Sequence, residues 1–164
     1  MDLTAALLTP LTTRHTLSAS GLVSETFISS ARSELHDFVE GSLVPLVQVD
    51  LERGLAESLG SKISDAIHEA LVEALDMAPT DKFQIFRTHA QGELVFDPTY
   101  NEVDRRQLVS IQILMVHMYD VRTKHGLFDR IAQRLEAVGV RREDLLISVV
   151  ENGFEDWYAG RSRT

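Results

Sequence analysis

One strand, helix, strand pattern occurs twice in this sequence, at a constant offset. Pro45 and Leu108 open the first strand of each unit, and Asp81 and Asp144 precede the second strand, both pairs 63 positions apart. In the first unit "PLVQVDL" alternates and is β-branched, as a strand requires. "LAESLGSKISDAIHEALVEAL" then places Leu55, Leu59, Ile63, Ile67, Leu71 and Leu75 at four-residue intervals, with Ala66, Ala70 and Ala74 widening the stripe, which predicts an amphipathic helix. Its polar side, with Lys62, Asp65, His68, Glu69 and Glu73, reads as a solvated face. "DKFQIFRTH" is the next strand, and "QGELVFDPTY" a turn with a short extended segment. The second unit repeats the order with "QLVSIQILMVHM", "TKHGLFDRIAQRLEAV" and "DLLISVVEN", its helix turning Leu127, Phe128, Ile131, Leu135 and Val138 inward.

A strand followed by a crossover helix and a second strand forms a parallel pair. The expected fold is therefore α/β, in an α+β-like two-layer form. Units over about 45–90 and 107–151 build one four-stranded sheet with two helices on one face, plus short hairpin segments. The other face also reads apolar, in "LVSIQILMV", and needs a cover. A homo-oligomer that packs sheets together is favoured over residues 1–44 folding back.

Residues 1–44 differ in kind. They hold 13 Ser or Thr and seven charged residues, and are read as an amino-terminal extension to the domain at 45–164. Within them "SETFISSARSELHDFVEG", residues 24–41, has the cap and spacing of a weak helix. The segment either covers a hydrophobic face or is an upstream translated stretch with little role.

The formal charge of −9 argues against nucleic acid or an anionic membrane as partner. No apolar run approaches the 18 or so residues of a spanning helix, and the opening stretch lacks the basic start of a secretory signal. A soluble cytoplasmic protein is the expectation. Without cysteine there is no disulfide, thiol nucleophile or Cys-based metal site. "HEALVE" lacks metal-ligand spacing and no Gly-rich phosphate loop occurs, so neither metal nor cofactor is expected.

Four separated segments, "PLVQVDL", "APTDKFQ", "FDPTY" and "VENGFEDWYAG", resemble the tautomerase superfamily, most closely its malonate semialdehyde decarboxylase-like group, over residues 45–164. The resemblance implies homotrimers of duplicated β-α-β protomers. It also implies cofactor-independent tautomerisation, decarboxylation or hydration-type dehalogenation of small oxo acids or unsaturated acids, centred on an amino-terminal proline. Pro45 stands at that proline's position. An internal proline nitrogen is a tertiary amide with no basicity near neutral pH and no proton to give. Pro45 gains amine chemistry only if the chain begins there. Val44 suggests a route, since valine is the reading of GUG, which also serves as a start codon; cleavage after Val44 is another.

By the same resemblance Asp81 is the carboxylate partner of the proline, whereas its residues alone read as ordinary Pro-Thr-Asp turn chemistry. Where the decarboxylase carries two arginines that hold the substrate carboxylate, this chain has His117 and then Tyr119, or Asp120 with a one-residue shift. Arg122 and Arg87 are candidate replacements for binding the anion. His117 alternatively reads as a strand-end histidine satisfied locally, and His89 as a strand-end surface residue. Trp157 matches an aromatic wall of the pocket, with Tyr158 beside it, or else an interface anchor; Asn152 reads as a cap on the strand-to-loop transition. The leading function is a tautomerase of small 2-oxo acids using Pro45 and Asp81, with His117, Tyr119, Arg122 and Trp157 around the substrate. The alternatives are decarboxylase-like or hydratase activity, and a non-catalytic oligomeric binding protein with an occluded proline.

Overall fold

The computed structural model describes residues 45–160; the helix expected over 24–41 lies outside them. β1 (Leu46–Glu52), α1 (Arg53–Leu75) and β2 (Phe83–His89) form the first unit, and β3 (Val109–Val116), α2 (Val121–Ala137) and β4 (Leu145–Asn152) the second. β1 pairs parallel with β2, and β3 parallel with β4. The two units join where β1 runs antiparallel to β3, giving the order β2-β1-β3-β4.

Alternation assigns each strand two faces. Val47, Val49 and Leu51 of β1 and Val109, Ile111, Ile113 and Met115 of β3 are buried against Ile63, Ile67 and Leu71 of α1 and Leu127, Ile131 and Leu135 of α2. Those helix residues recur every four positions, so each helix turns one stripe to the sheet. α1 ends where Asp76 takes a left-handed conformation, φ 54°. α2 begins at Asp120, whose Oδ1 accepts the Thr123 N–H at 2.7 Å. Arg134 of α2 bonds Glu69 and Glu73 of α1, and Arg130 donates to Glu73 at 3.0 Å. Two glutamates expected on a wholly solvated face therefore clasp the helices together.

The open face is less apolar than expected. Across the four strands it reads in rows: Phe83, Leu46, Leu114 and Val150; then Ile85, Gln48, Gln112 and Ser148; then Arg87, Asp50, Ser110 and Leu146. Only the first row is apolar throughout, because the run "LVSIQILMV" sends Ser110 and Gln112 to this side.

The stretch expected to add short hairpin segments forms turns instead. Glu93 N–H bonds the Ala90 carbonyl at 3.1 Å, and Tyr100–Glu102 make a single helical turn with Asn101 and Glu102 at φ 62° and 59°. Pro98 has no N–H to give a ladder, and left-handed residues end an extended run.

Leu127→Ala should lower stability by about 2–5 kcal/mol, as loss of a fully buried leucine does, while Gln133→Ala on the exposed side of α2 should stay within about 0.5 kcal/mol. Urea unfolding followed by circular dichroism checks both.

Candidate functional site

Antiparallel joining brings the starts of β1 and β2 to the same end of the sheet as the finishes of β3 and β4. Pro45 is buried immediately ahead of β1. Leu46 faces Phe83 on one side and Leu114 on the other, so Asp81 precedes the strand beside Pro45 and His117 follows the strand on its far side.

Asp81 is half-buried at the close of a turn, its N–H donating to the Ala78 carbonyl at 3.0 Å. Two ties hold that turn to α1. The His68 Nε2–H donates to the Pro79 carbonyl at 2.8 Å, and Lys82 pairs with Asp65 at 2.8 Å. His68 thus has a positioning task that the expectation of a wet helix face did not include.

The second unit displays what a carboxylate at this position reaches. Asp144, the counterpart of Asp81, is buried, and its Oδ1 accepts the N–H groups of Arg106 and Gln107 at 2.7 and 3.1 Å. Those are the two residues leading to Leu108, the counterpart of Pro45. Arg141 lies 3.6 Å from the same oxygen.

At the β3 end, the His117 N–H donates to the Asn152 carbonyl at 2.9 Å. The Asn152 side chain accepts from Trp157 Nε1 at 2.8 Å, so Asn152 ties β3 and the indole to the end of β4. Trp157 is half-buried there, whereas Tyr158 is exposed. His117 Nδ1 lies 3.0 Å from one oxygen of Glu151, and Lys124 Nζ lies 3.0 Å from the other. Lys124 and then His117 hold the Glu151 carboxyl below its ordinary value, Lys124 exerting the larger effect. Tyr119 packs against the core, and burial, aided by the negative charge of Asp76, raises its phenol above the usual value. It is a neutral hydrogen-bond donor across the physiological range. Arg122 is exposed in the first turn of α2, where its charge adds to the Thr123 hydrogen bonds that lower the Asp120 carboxyl.

Two of the residues considered lie elsewhere. Arg87 and His89 sit toward the finish of β2, the opposite end of the sheet from Pro45. There Arg87 donates to Gln48 at 2.6 Å, and His89 bonds Asp50 at 2.8 Å. Parallel pairing with β1 explains this, since β2 starts at the site and runs away from it. Glu151 and Lys124 escaped sequence reading; the available signal was a charged residue at the helix-facing register of β4, opposite Met115. Among the described residues no group of three or more His, Cys, Asp or Glu is placed to hold a metal ion.

A family model described as "Tautomerase enzyme" matches residues 81–160. The Bacillus subtilis (strain 168) protein named "Probable tautomerase YusQ" is 33% identical over 122 residues, covering 73% of this chain and 96% of that protein. Among solved structures, FG41 malonate semialdehyde decarboxylase inhibited by 3-bromopropiolate superposes with a TM-score of 0.68 at 28% identity, covering 72% of this chain and 91% of that one. A malonate semialdehyde decarboxylase described with decarboxylase and hydratase activities gives 0.66 at 27% identity, covering 72% and 92%.

A carboxyl lowered in the folded state stabilises the protein above its unfolded pKa, and that contribution is lost as pH falls through the lowered folded value. Glu151→Gln should therefore flatten the loss of stability on the acid side, below about pH 4.3, the free glutamate value. Urea midpoints across an acid pH series measure it.

Proposed function

The chain belongs to the tautomerase superfamily, and we propose that a mature form beginning at Pro45 interconverts the keto and enol forms of a small 2-oxo acid without a cofactor. The observation that carries this reading is the bonding of Asp144. In the second unit a carboxylate at this position engages the nitrogens that lead into the first strand. By the 63-residue offset those nitrogens match positions 43 and 44, so Asp81 borders the approach to Pro45, where the amine would stand in a chain that begins there. A secondary amine can abstract a proton from carbon when neutral and return one when charged, and an adjacent carboxylate favours the ammonium. Asp81 then orients the amine, His117 and Tyr119 face the polar end of the substrate, Arg122 supplies positive charge, and Trp157 excludes water.

A decarboxylase or hydratase reading has in its favour the likeness to malonate semialdehyde decarboxylase at 27% and 28% identity. Against it stand His117 and Tyr119 at the positions read as those of the arginine pair. Neither offers the fixed two-pronged donor of a guanidinium. Tautomerisation needs less charge at the substrate carboxylate, so it is the reading preferred here. An internal, buried Pro45 with its peptide bond intact instead favours a non-catalytic protein, which the same experiment distinguishes.

Ketonisation of phenylenolpyruvate, followed by ultraviolet absorbance, should appear in a chain beginning at Pro45 and be absent from the chain beginning at Met1. Pro45→Ala and Asp81→Asn in the short form should each lose about 10²-fold or more in kcat/KM, the scale of acid–base catalysis. Activity in protein from the native gene whose terminus is Met1 would sink the proline mechanism; inactivity of both forms would favour the binding protein.

The oligomer belongs to the same proposal. A fused 4-OT neighbour, similar in fold alone at 15% identity and a TM-score of 0.61, is described as a symmetric trimer. Three copies with open faces inward would cover Phe83, which is 65% exposed, and the apolar row it begins. Sedimentation should give three chains per particle, and Leu114→Asp should shift the mass toward one.

A further inference from the structure

We infer that Glu151, clamped by Lys124, fixes the tautomer of His117 so that its Nε2 takes the enol hydroxyl proton during ketonisation; the inference rests on the proposed tautomerase reading. Three elements contribute: His117 follows β3, Glu151 lies near the finish of β4, and Lys124 stands in the first turn of α2. Oε1 accepts from Lys124 Nζ, and Oε2 lies beside His117 Nδ1 at ion-pair distance, each at 3.0 Å.

The three side chains grade from inside to outside. Lys124 is 18% exposed, Glu151 25% and His117 78%. Lys124 and Glu151 link α2 to β4 without the ring, and the backbone of His117 is already held by Asn152. The imidazole therefore adds little to the fold. An ionised oxygen beside Nδ1 favours the ring proton there, and which ring nitrogen carries the proton follows from the bond the other makes. Nε2 then keeps its lone pair, on a side chain that stays open to solvent.

That arrangement supplies what an arginine at this position lacks, a proton acceptor. As the enol O–H bond breaks, the proton passes to Nε2 and the carbon–oxygen double bond forms. The carbon–carbon π pair takes a proton from the Pro45 ammonium. The product is the 2-oxo acid, with His117 as imidazolium and Pro45 as neutral amine. Proton exchange with water restores both, so no co-reactant is consumed. Glu151 and Lys124 are positioning residues in this scheme, since they act through His117. The charges set against the ring are Glu151 from β4 and, through it, Lys124 from α2.

The test reads the ring directly. Long-range proton–nitrogen correlation spectra of the full chain, assigned by loss of the signal in His117→Asn, should show the neutral ring of His117 protonated at Nδ1. Glu151→Ala should move that proton to Nε2, as in a free imidazole in water, whereas Glu151→Gln keeps an acceptor and should keep it at Nδ1. In the form beginning at Pro45, Glu151→Ala should lower kcat about tenfold to a hundredfold, the cost of removing a partner that orients a histidine, and Glu151→Gln should recover part of it. A parent ring protonated at Nε2, or a Glu151→Ala chain with unchanged tautomer and kcat, overturns the inference. An Nδ1–H ring together with no ketonisation by any form overturns the proposed reaction instead.

Discussion

The antiparallel pairing of β1 with β3 is the constraint on which the rest of this domain depends. Each unit is internally parallel, because a strand, a crossover helix and a second strand leave no other local arrangement. Only the junction between units is free to vary. Running antiparallel there, with Leu46 against Leu114 and Asp50 against Ser110, it turns one unit end for end relative to the other. The start of one unit's strands and the finish of the other's then share an edge. Every candidate site residue other than Arg87 lies on that edge or on the segments leaving it.

The same duplication places a carboxylate ahead of the second strand of each unit. Asp144 is buried, and a buried charge is tolerated when its oxygen is hydrogen-bonded and a cation lies near. Two backbone N–H groups and Arg141 meet that need. It serves the fold by fastening the entry to β3. Its counterpart Asp81 is half-buried ahead of β2, at the close of a turn. Charges elsewhere on the domain are sorted by the same cost: the helix layer is apolar inside, and its acids emerge toward Arg130 and Arg134.

Much of this was legible beforehand. The four strands, both helices and the two-layer arrangement follow from alternation and four-residue spacing, and the buried residues of α1 and α2 are among those the stripe named, whereas Phe128, expected inward, stays outside the core. The apolar reading of the open face failed in part because a strand must be read at every second residue; Ser110 and Gln112 sit between Val109, Ile111 and Ile113. The segment after β2 looked extended from Val95 and Phe96, but Pro98 and the left-handed Asn101 and Glu102 bend it into turns. Arg87 was named as an anion binder for its charge alone; the parallel pairing of β1 and β2 carries the finish of β2 away from Pro45. Glu151 and Lys124, 27 positions apart, carry no spacing signal that marks them as partners.

The sequence by itself determined the elements, the duplication, and the positions of Pro45 and Asp81 ahead of their strands, because these rest on local periodicity and on the missing N–H of proline. Tertiary structure decided which ends meet, which helix glutamates clasp an arginine, and which carboxylate stands beside His117. Those outcomes depend on strand direction and register, which arise from the packing of whole units against each other and leave no trace in any one stretch of chain.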